Sequence, residues 1–276
     1  MKINLYSLVQ AKSKRKLWMI ALLLAPILTA ASCGGSSEVS VASNATAATV
    51  TSASTSGSTA TTTSTGTTNA ASTNAGTSTG TLKNFKAQMW ADNWFSLHVG
   101  ETYVGEDSVP ITTERSFNSE TLNFSASYPF DLNFIIKDYK QNDTGLEYIG
   151  TAKQQIGDGG FIAQITDTST GRIVAVTSSA FKCKVIHKAP LVNACAKEAS
   201  PTVQSCGATI LSEPVGWKST GFNTTGWESA AVYTAAQVGV KDGYYDIAWD
   251  AAAKLIWTSD LLSDNTLLCK ATVTSP

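Results

Sequence analysis

Apolar and polar residues alternate with a period of two along much of the chain after residue 82, the pattern of half-buried antiparallel strands. In ADNWFSLHVGETYVGED (91–107), Phe95, Leu97 and Val99 fall on one side and Trp94, Ser96 and His98 on the other. Gly100-Glu101 fits a two-residue hairpin loop of type II′, because glycine at the first central position supplies the positive φ. That register pairs Leu97 with Val104 on the core side and His98 with Tyr103 on the opposite side. Further strands are expected over Leu122–Ala126, Phe130–Ile136, Phe161–Thr166, Ile173–Thr177, Phe181–His187 and Leu267–Val273, with DTSTGR closing a longer hairpin after Thr166. No segment sustains a helical period, although AWDAAAKLIW could hold one helical turn. Many short strands with Gly, Asp and Asn turns predict an all-β antiparallel sandwich, with a jelly roll the favoured form.

The amino-terminal pattern differs. Lys12, Lys14, Arg15 and Lys16 precede the apolar run Leu17–Leu28, which is too short to span a bilayer as an ordinary helix and reads as an export signal over residues 1–32. Ala30, Ala31 and Ser32 stand before Cys33, an arrangement that resembles the bacterial lipoprotein signal, except that Ala30 replaces a larger aliphatic residue. The resemblance implies lipid attachment at Cys33, and Gly34 after it implies the outer membrane; a plain secretory signal is the alternative. From Ser36 to Thr81 the chain is nearly all Ser, Thr, Ala, Gly and Asn, with Glu38 its one charge and no aromatic residue. Such a stretch cannot bury enough apolar surface to offset its ordering entropy. Residues 33–81 are therefore expected to act as a tether, roughly 35–40 Å across as a flexible coil. Its Thr and Ser also suit O-linked glycan.

Residues 82–276 suffice for one domain with its own core. The formal net charge of −1 includes the basic residues of the signal, so the exported part is mildly acidic and no basic stripe suggests a nucleic-acid partner. After Cys33, four cysteines remain: Cys183, Cys195, Cys206 and Cys269. An even count in an exported chain favours two disulfides out of three connectivities. Cys195 and Cys206 share a strand-poor region among Pro190, Pro201 and Pro214. Cys183 lies on the inward side with Phe181 and Val185, and Cys269 with Leu267, Ala271 and Val273, so Cys183–Cys269 and Cys195–Cys206 are the expected bridges. Free buried thiols are the alternative, and no C-x-x-C pair suggests a metal.

Four segments in order resemble the galactose-binding-like jelly roll attached to bacterial rhamnosidases and family 2 glycoside hydrolases: ADNWFSLHVGETYVG from Ala91, GDGGFIAQITDTSTGRIVAVTSSAFK from Gly157, GWKSTGFNTTGWESA from Gly216 and LIWTSDLLSDNTLLCKATV from Leu255. The resemblance implies the sandwich framework more than the binding chemistry. The hairpin lacks the family's Asn, FNTT replaces an acidic FDDS, and Ala180-Phe181 stand where a Trp is common.

Among chemical groups, only His98 and His187 could serve as histidine bases in this domain, and no G-x-S-x-G accompanies them. His187 is expected to be a strand-end residue. Glu106, Asp107, Asp138, Asp143, Glu147 and Asp158 could supply a glycosidase pair, but their turn-like contexts favour local hydrogen bonding. DYKQNDTGLE (138–147) and KDGYYDIAWD (241–250) could hold a structural calcium ion, without following the usual loop pattern; no other cofactor is expected. The ligand candidates are Trp94, His98 and Tyr103 on the hairpin with Tyr139 and Tyr148 beyond Phe134, since sugar rings stack on aromatic faces. The alternative is a covering loop that buries them, and Trp217, Trp227 and Trp257 are expected in packing. The expected function is a surface-anchored, non-catalytic binding module for carbohydrate or another envelope polymer. A structural or adhesive protein-binding module is the alternative, and a glycoside hydrolase the third.

Overall fold

A computed structural model describes residues 80–275, all in the second of the two units into which the chain divides, Ala70–Pro276. The export segment, Cys33 and nearly all of the tether lie outside the described residues.

Fifteen strands follow in chain order: β1 Lys83–Asp92, β2 Trp94–Val99, β3 Thr102–Glu106, β4 Ser119–Ala126, β5 Phe130–Lys137, β6 Leu146–Glu147, β7 Gln155–Ile156, β8 Gly160–Asp167, β9 Ile173–Val176, β10 Lys182–Lys188, β11 Thr209–Ile210, β12 Glu228–Ser229, β13 Ala231–Tyr233, β14 Leu255–Trp257 and β15 Asp264–Val273. One sheet runs β13-β14-β8-β1-β4, with β9 also on β8; the other runs β11-β10-β15-β5-β2-β3, with β12 also on β10; β6 and β7 form a small ribbon. All pairs are antiparallel. Among the described residues, helix is confined to single turns at Val203–Cys206 and Ala235–Val238 and two short 3-10 turns. This is the all-β sandwich that the alternation predicts.

Between the sheets lie Phe85, Ala87, Met89 and Ala91 from β1, Phe95 and Leu97 from β2, Leu132, Phe134 and Ile136 from β5, and Leu267 and Cys269 from β15. Phe134 and Phe161 meet across this core at 4.8 Å between centroids. The core face of β2 is therefore Phe95 and Leu97, as expected. β1 was not among the expected strands, because Ala87, Ala91 and Met89 are poor strand formers whose alternation is easily overlooked. Trp90 on its other side is fully buried in a second cluster with Ile162, Val238 and Leu255, and its Nε1 donates to the Asp242 carbonyl at 2.9 Å. Gly159 has a packing reason, since a Cβ there would enter the Trp257 ring.

Both expected bridges form. Cys183 and Cys269 are cross-strand partners on β10 and β15, 4.2 Å apart at Cα, and Cys195–Cys206 closes the strand-poor loop at 5.1 Å. The second bridge packs with Leu146 in a small separate cluster. DTSTGR closes the β8–β9 hairpin, where the Asp167 carboxylate accepts from the Ser169 backbone N–H at 2.9 Å. Two expectations fail. AWDAAAKLIW holds no helix: the Ala253 N–H closes a turn on the Asp250 carbonyl and Leu255–Trp257 is strand β14, where Ile256 pairs with Phe161. Leu97 pairs with Gly105 instead of Val104, because a bulge between Leu97 and His98 absorbs one residue of β3.

Candidate functional site

The β2–β3 turn has Gly100 at φ 56° while Glu101 keeps a negative φ, the II′ pattern that needs glycine at one position only. His98 faces Tyr103 in register, with their rings edge to face at 5.4 Å. Tyr103 is 54 % exposed at the sheet edge. His98 is half-buried, its Nδ1 has no hydrogen-bond partner among the described residues, and burial, seconded by the Lys218 ammonium, lowers its pKa against the opposing pull of Glu213. It is thus a neutral imidazole at physiological pH.

The same row of side chains continues across the sheet. His98 lies opposite Asn133, Asn133 opposite Lys270, and Lys270 opposite Lys182, so that from Tyr103 to Lys182 the row spans about 19 Å over four strand spacings. Lys270 is buried, and its ammonium donates to Asp131 Oδ2 at 2.9 Å, Asn133 Oδ1 at 3.0 Å and the Ser219 carbonyl at 3.2 Å. Asn133 Nδ2 donates in turn to the Gly100 and Lys218 carbonyls at 2.8 and 2.9 Å. This network fastens the segment 213–224 over the middle of the row. Trp217 and Trp227, packed on Leu268 of the same face, anchor the segment as expected for packing tryptophans.

The covering segment leaves openings on either side. One cavity of about 370 Å³ is lined by Glu101, Glu213 to Trp217 and Lys218. There Glu213 accepts from Trp217 Nε1 at 2.8 Å, and Lys218 Nζ stands 5.1 Å from the Trp217 ring centroid. A second, of about 290 Å³, opens along the side of the sandwich and is lined by Tyr103, Thr102, Asn123 and Ser125 among others. A third, of about 240 Å³, lies beyond the crossing and includes Asp131, Lys182, Phe222 and Thr224.

The five expected ligand residues do not form one patch. Trp94 shares the outer side of β2 with His98 but stands four residues away, about 13 Å, with Lys137 Nζ 4.5 Å from its ring centroid. Tyr139 and Tyr148 belong to that opposite end. The Tyr139 N–H donates to Asn93 Oδ1 at 2.6 Å, and Tyr148, at φ 52°, has its pKa raised by a hydrogen bond to Glu114. Burial, then the Glu114 and Glu147 charges, raises Tyr139. The separation follows from strand geometry: residues on one face of a strand need not share one end of it.

At that opposite end the fold assembles a group that sequence pattern did not single out as a unit. Asp92 ends β1, Asp138 follows β5, Glu147 lies on β6 and Asp158 precedes β8, with Lys241 arriving from a distant loop. Lys241 Nζ lies 3.0 Å from Asp92 and 3.5 Å from Asp158. Asp92, Asp138 and Glu147 are each at most 4 % exposed. Neither oxygen of Asp138, nor Oδ1 of Asp92, has a hydrogen-bond partner among the described residues. Segment 107–118 covers the group: the Glu114 carbonyl accepts from Asn93 Nδ2 at 3.1 Å and Phe117 lies 4.6 Å from the Lys241 ammonium. Burial pushes Asp92 up to about 7 against the pull of Lys241, and burial together with Asp92, Glu147 and Asp158 pushes Asp138 well above the usual range. Asp138, Glu147 and Lys241 come from the segments considered for calcium, yet no three His, Cys, Asp or Glu side chains among the described residues are set to hold an ion. The cation present is Lys241.

The other candidates are scattered. Asp143 pairs with Lys140 at 2.6 Å, and Asp107 accepts from the Val109 N–H at 2.9 Å, both local roles. His187 is buried at the end of β10 beside Asp143, and burial lowers its pKa, so their 3.3 Å contact is not an ion pair. Of the carboxylates that do converge, Asp92, Asp138 and Glu147 are enclosed and Asp158 is partly exposed. Compared with family profiles, curated proteins and solved structures, the chain matches none. The galactose-binding-like resemblance therefore rests on motif order alone.

Proposed function

We propose that the chain is a non-catalytic carbohydrate-binding module of galactose-binding-like, jelly-roll type, displayed on the cell surface from a lipid anchor at Cys33. The observation that carries the binding function is Tyr103: a half-exposed ring, edge-on to a neutral His98, that lines one cavity and stands beside another bearing Glu101, Glu213 and Lys218. Sugars ask for that combination, an aromatic platform for the apolar ring face and carboxylate, ammonium and amide groups for hydroxyls. Lipid attachment and outer-membrane placement rest on the Ala30-Ala31-Ser32-Cys33 arrangement, and palmitate labelling that disappears with Cys33→Ser tests them. Affinity electrophoresis of residues 34–276 through neutral polysaccharides tests binding, with retardation expected for the wild type and lost in Tyr103→Ala.

A protein-binding module is the second function to weigh, favoured by exposed aliphatic side chains at Leu191, Val192, Ile210 and Val215, the last 99 % exposed. Surface variants of Leu191, Val192 and Ile210, which lie outside both cavities near Tyr103, with unchanged polysaccharide retardation would keep the two functions apart.

A further inference from the structure

Beyond the point where segment 213–224 crosses the second sheet, the row that began with Tyr103 and His98 ends in two opposed lysines. Lys182 and Lys270 are direct cross-strand partners, a like-charge placement that destabilises a sheet unless an anion compensates it. Asp131 compensates only Lys270, whose three donors are committed to Asp131, Asn133 and Ser219. Asp131 is itself committed, accepting also from the Thr272 hydroxyl. Lys182 donates to the exposed Ser229 hydroxyl at 2.9 Å and has no carboxylate within ion-pair distance among the described residues. Asp131, Lys182, Lys270 and Thr272 line the cavity of about 240 Å³, which Phe222 and Thr224 complete. The pocket thus holds one uncompensated positive charge, a partly exposed aromatic wall and a hydroxyl.

We propose that this cavity is a subsite for an acidic sugar of the uronic-acid class. Lys182 takes the carboxylate, Phe222 packs against the ring face and Thr224 bonds a ring hydroxyl. The buried Lys270–Asp131 pair holds the floor in place and adds no net charge. The choice of a sugar over a simple anion rests on the carbohydrate function proposed above, but the two sites lie at opposite ends of the row and fail separately.

The test follows backbone amide shifts of ¹⁵N-labelled residues 34–276 during titration with sodium D-glucuronate, methyl glucoside or sodium acetate at matched ionic strength. Glucuronate is expected to shift the amides of 180–182, 221–224 and 270–272 saturably, more strongly than either control. Lys182→Gln, a part-exposed position, is expected to keep the fold and weaken that binding about tenfold, the loss of one charged hydrogen bond; Phe222→Ala weakens it as well. Tyr103→Ala leaves these shifts unchanged. No saturable shifts at these amides, equal shifts with acetate or methyl glucoside, or an unaltered affinity in Lys182→Gln would each overturn the proposal. Persistence of the glucuronate shifts in a protein that no neutral polysaccharide retards would overturn the Tyr103 site and leave this one standing.

Discussion

Raising the pH from 4 to 8 takes Asp92 through its folded pKa inside a covered pocket, and the cost can be worked from its surroundings. Asp92 is 1 % exposed and held up to about 7 from 3.8 by burial, against the attraction of Lys241. A carboxyl whose folded pKa lies above its unfolded value contributes stability that is complete below the unfolded value and is lost as pH rises through the folded one. A rise from 3.8 to about 7 corresponds to about 4 kcal/mol, or about 10 °C in melting temperature for a domain of this size. Asp138 shifts in the same direction, by burial and by the Asp92, Glu147 and Asp158 charges, with Lys241 opposing. Asp138→Asn keeps the shape and removes the ionisation of that carboxyl in both the folded and the unfolded chain. Calorimetric melting between pH 4 and 8.5 is expected to show the wild type losing stability across this range and Asp138→Asn losing less, so that the variant is the more stable protein at pH 8. A wild type as stable at pH 8 as at pH 5, or an Asn variant less stable than wild type at pH 8, would refute this account of the pocket.

Lys270→Met should cost about 3–5 kcal/mol in chemical denaturation, because it leaves the Asp131 carboxylate buried without its ammonium; Asp131→Leu with Lys270→Met should recover much of that loss. Replacing Cys195 and Cys206 by Ser opens a loop of sequence separation 11 and is expected to lower stability by about 3 kcal/mol, read from the denaturation midpoint. Gly159→Ala should destabilise by about 1–3 kcal/mol, since its Cβ falls within the Trp257 ring, whereas Gly171→Ala meets open space and is strained only by its φ of 70°.

The sandwich was legible because long strands such as β5, β8 and β15 alternate with large apolar residues, and the cysteine pairing because Cys183 and Cys269 fall on inward positions. Hairpin register was half legible: the turn chemistry fixed His98 opposite Tyr103, but no local signal announces the bulge that puts Gly105 opposite Leu97. β1 escaped because its inward positions include Ala87 and Ala91, whose burial is decided by partners on β4 and β8 far along the chain. The carboxylate group escaped for the same reason. Asp92, Asp138, Glu147, Asp158 and Lys241 are separated by up to 149 residues, and only the antiparallel stacking of strands brings them to one end. The covering segment 213–224 explains why an alternating outer face is not automatically an open one: Lys270 and Asn133 are outward-facing by pattern yet buried by a loop with no regular structure of its own. The four motifs were in order in the sequence, but order alone does not say which side of a sheet a loop will cover.

The central claim is that Tyr103 marks a carbohydrate site, and quantitative binding of residues 34–276 to a polysaccharide panel, with Tyr103→Ala alongside, tests it most directly. The wild type is expected to bind at least one neutral polysaccharide, with affinity falling about tenfold or more in Tyr103→Ala, the size expected for truncating an aromatic anchor, while the melting temperature stays unchanged. Binding to none of the panel, or undiminished binding in the variant, would contradict it.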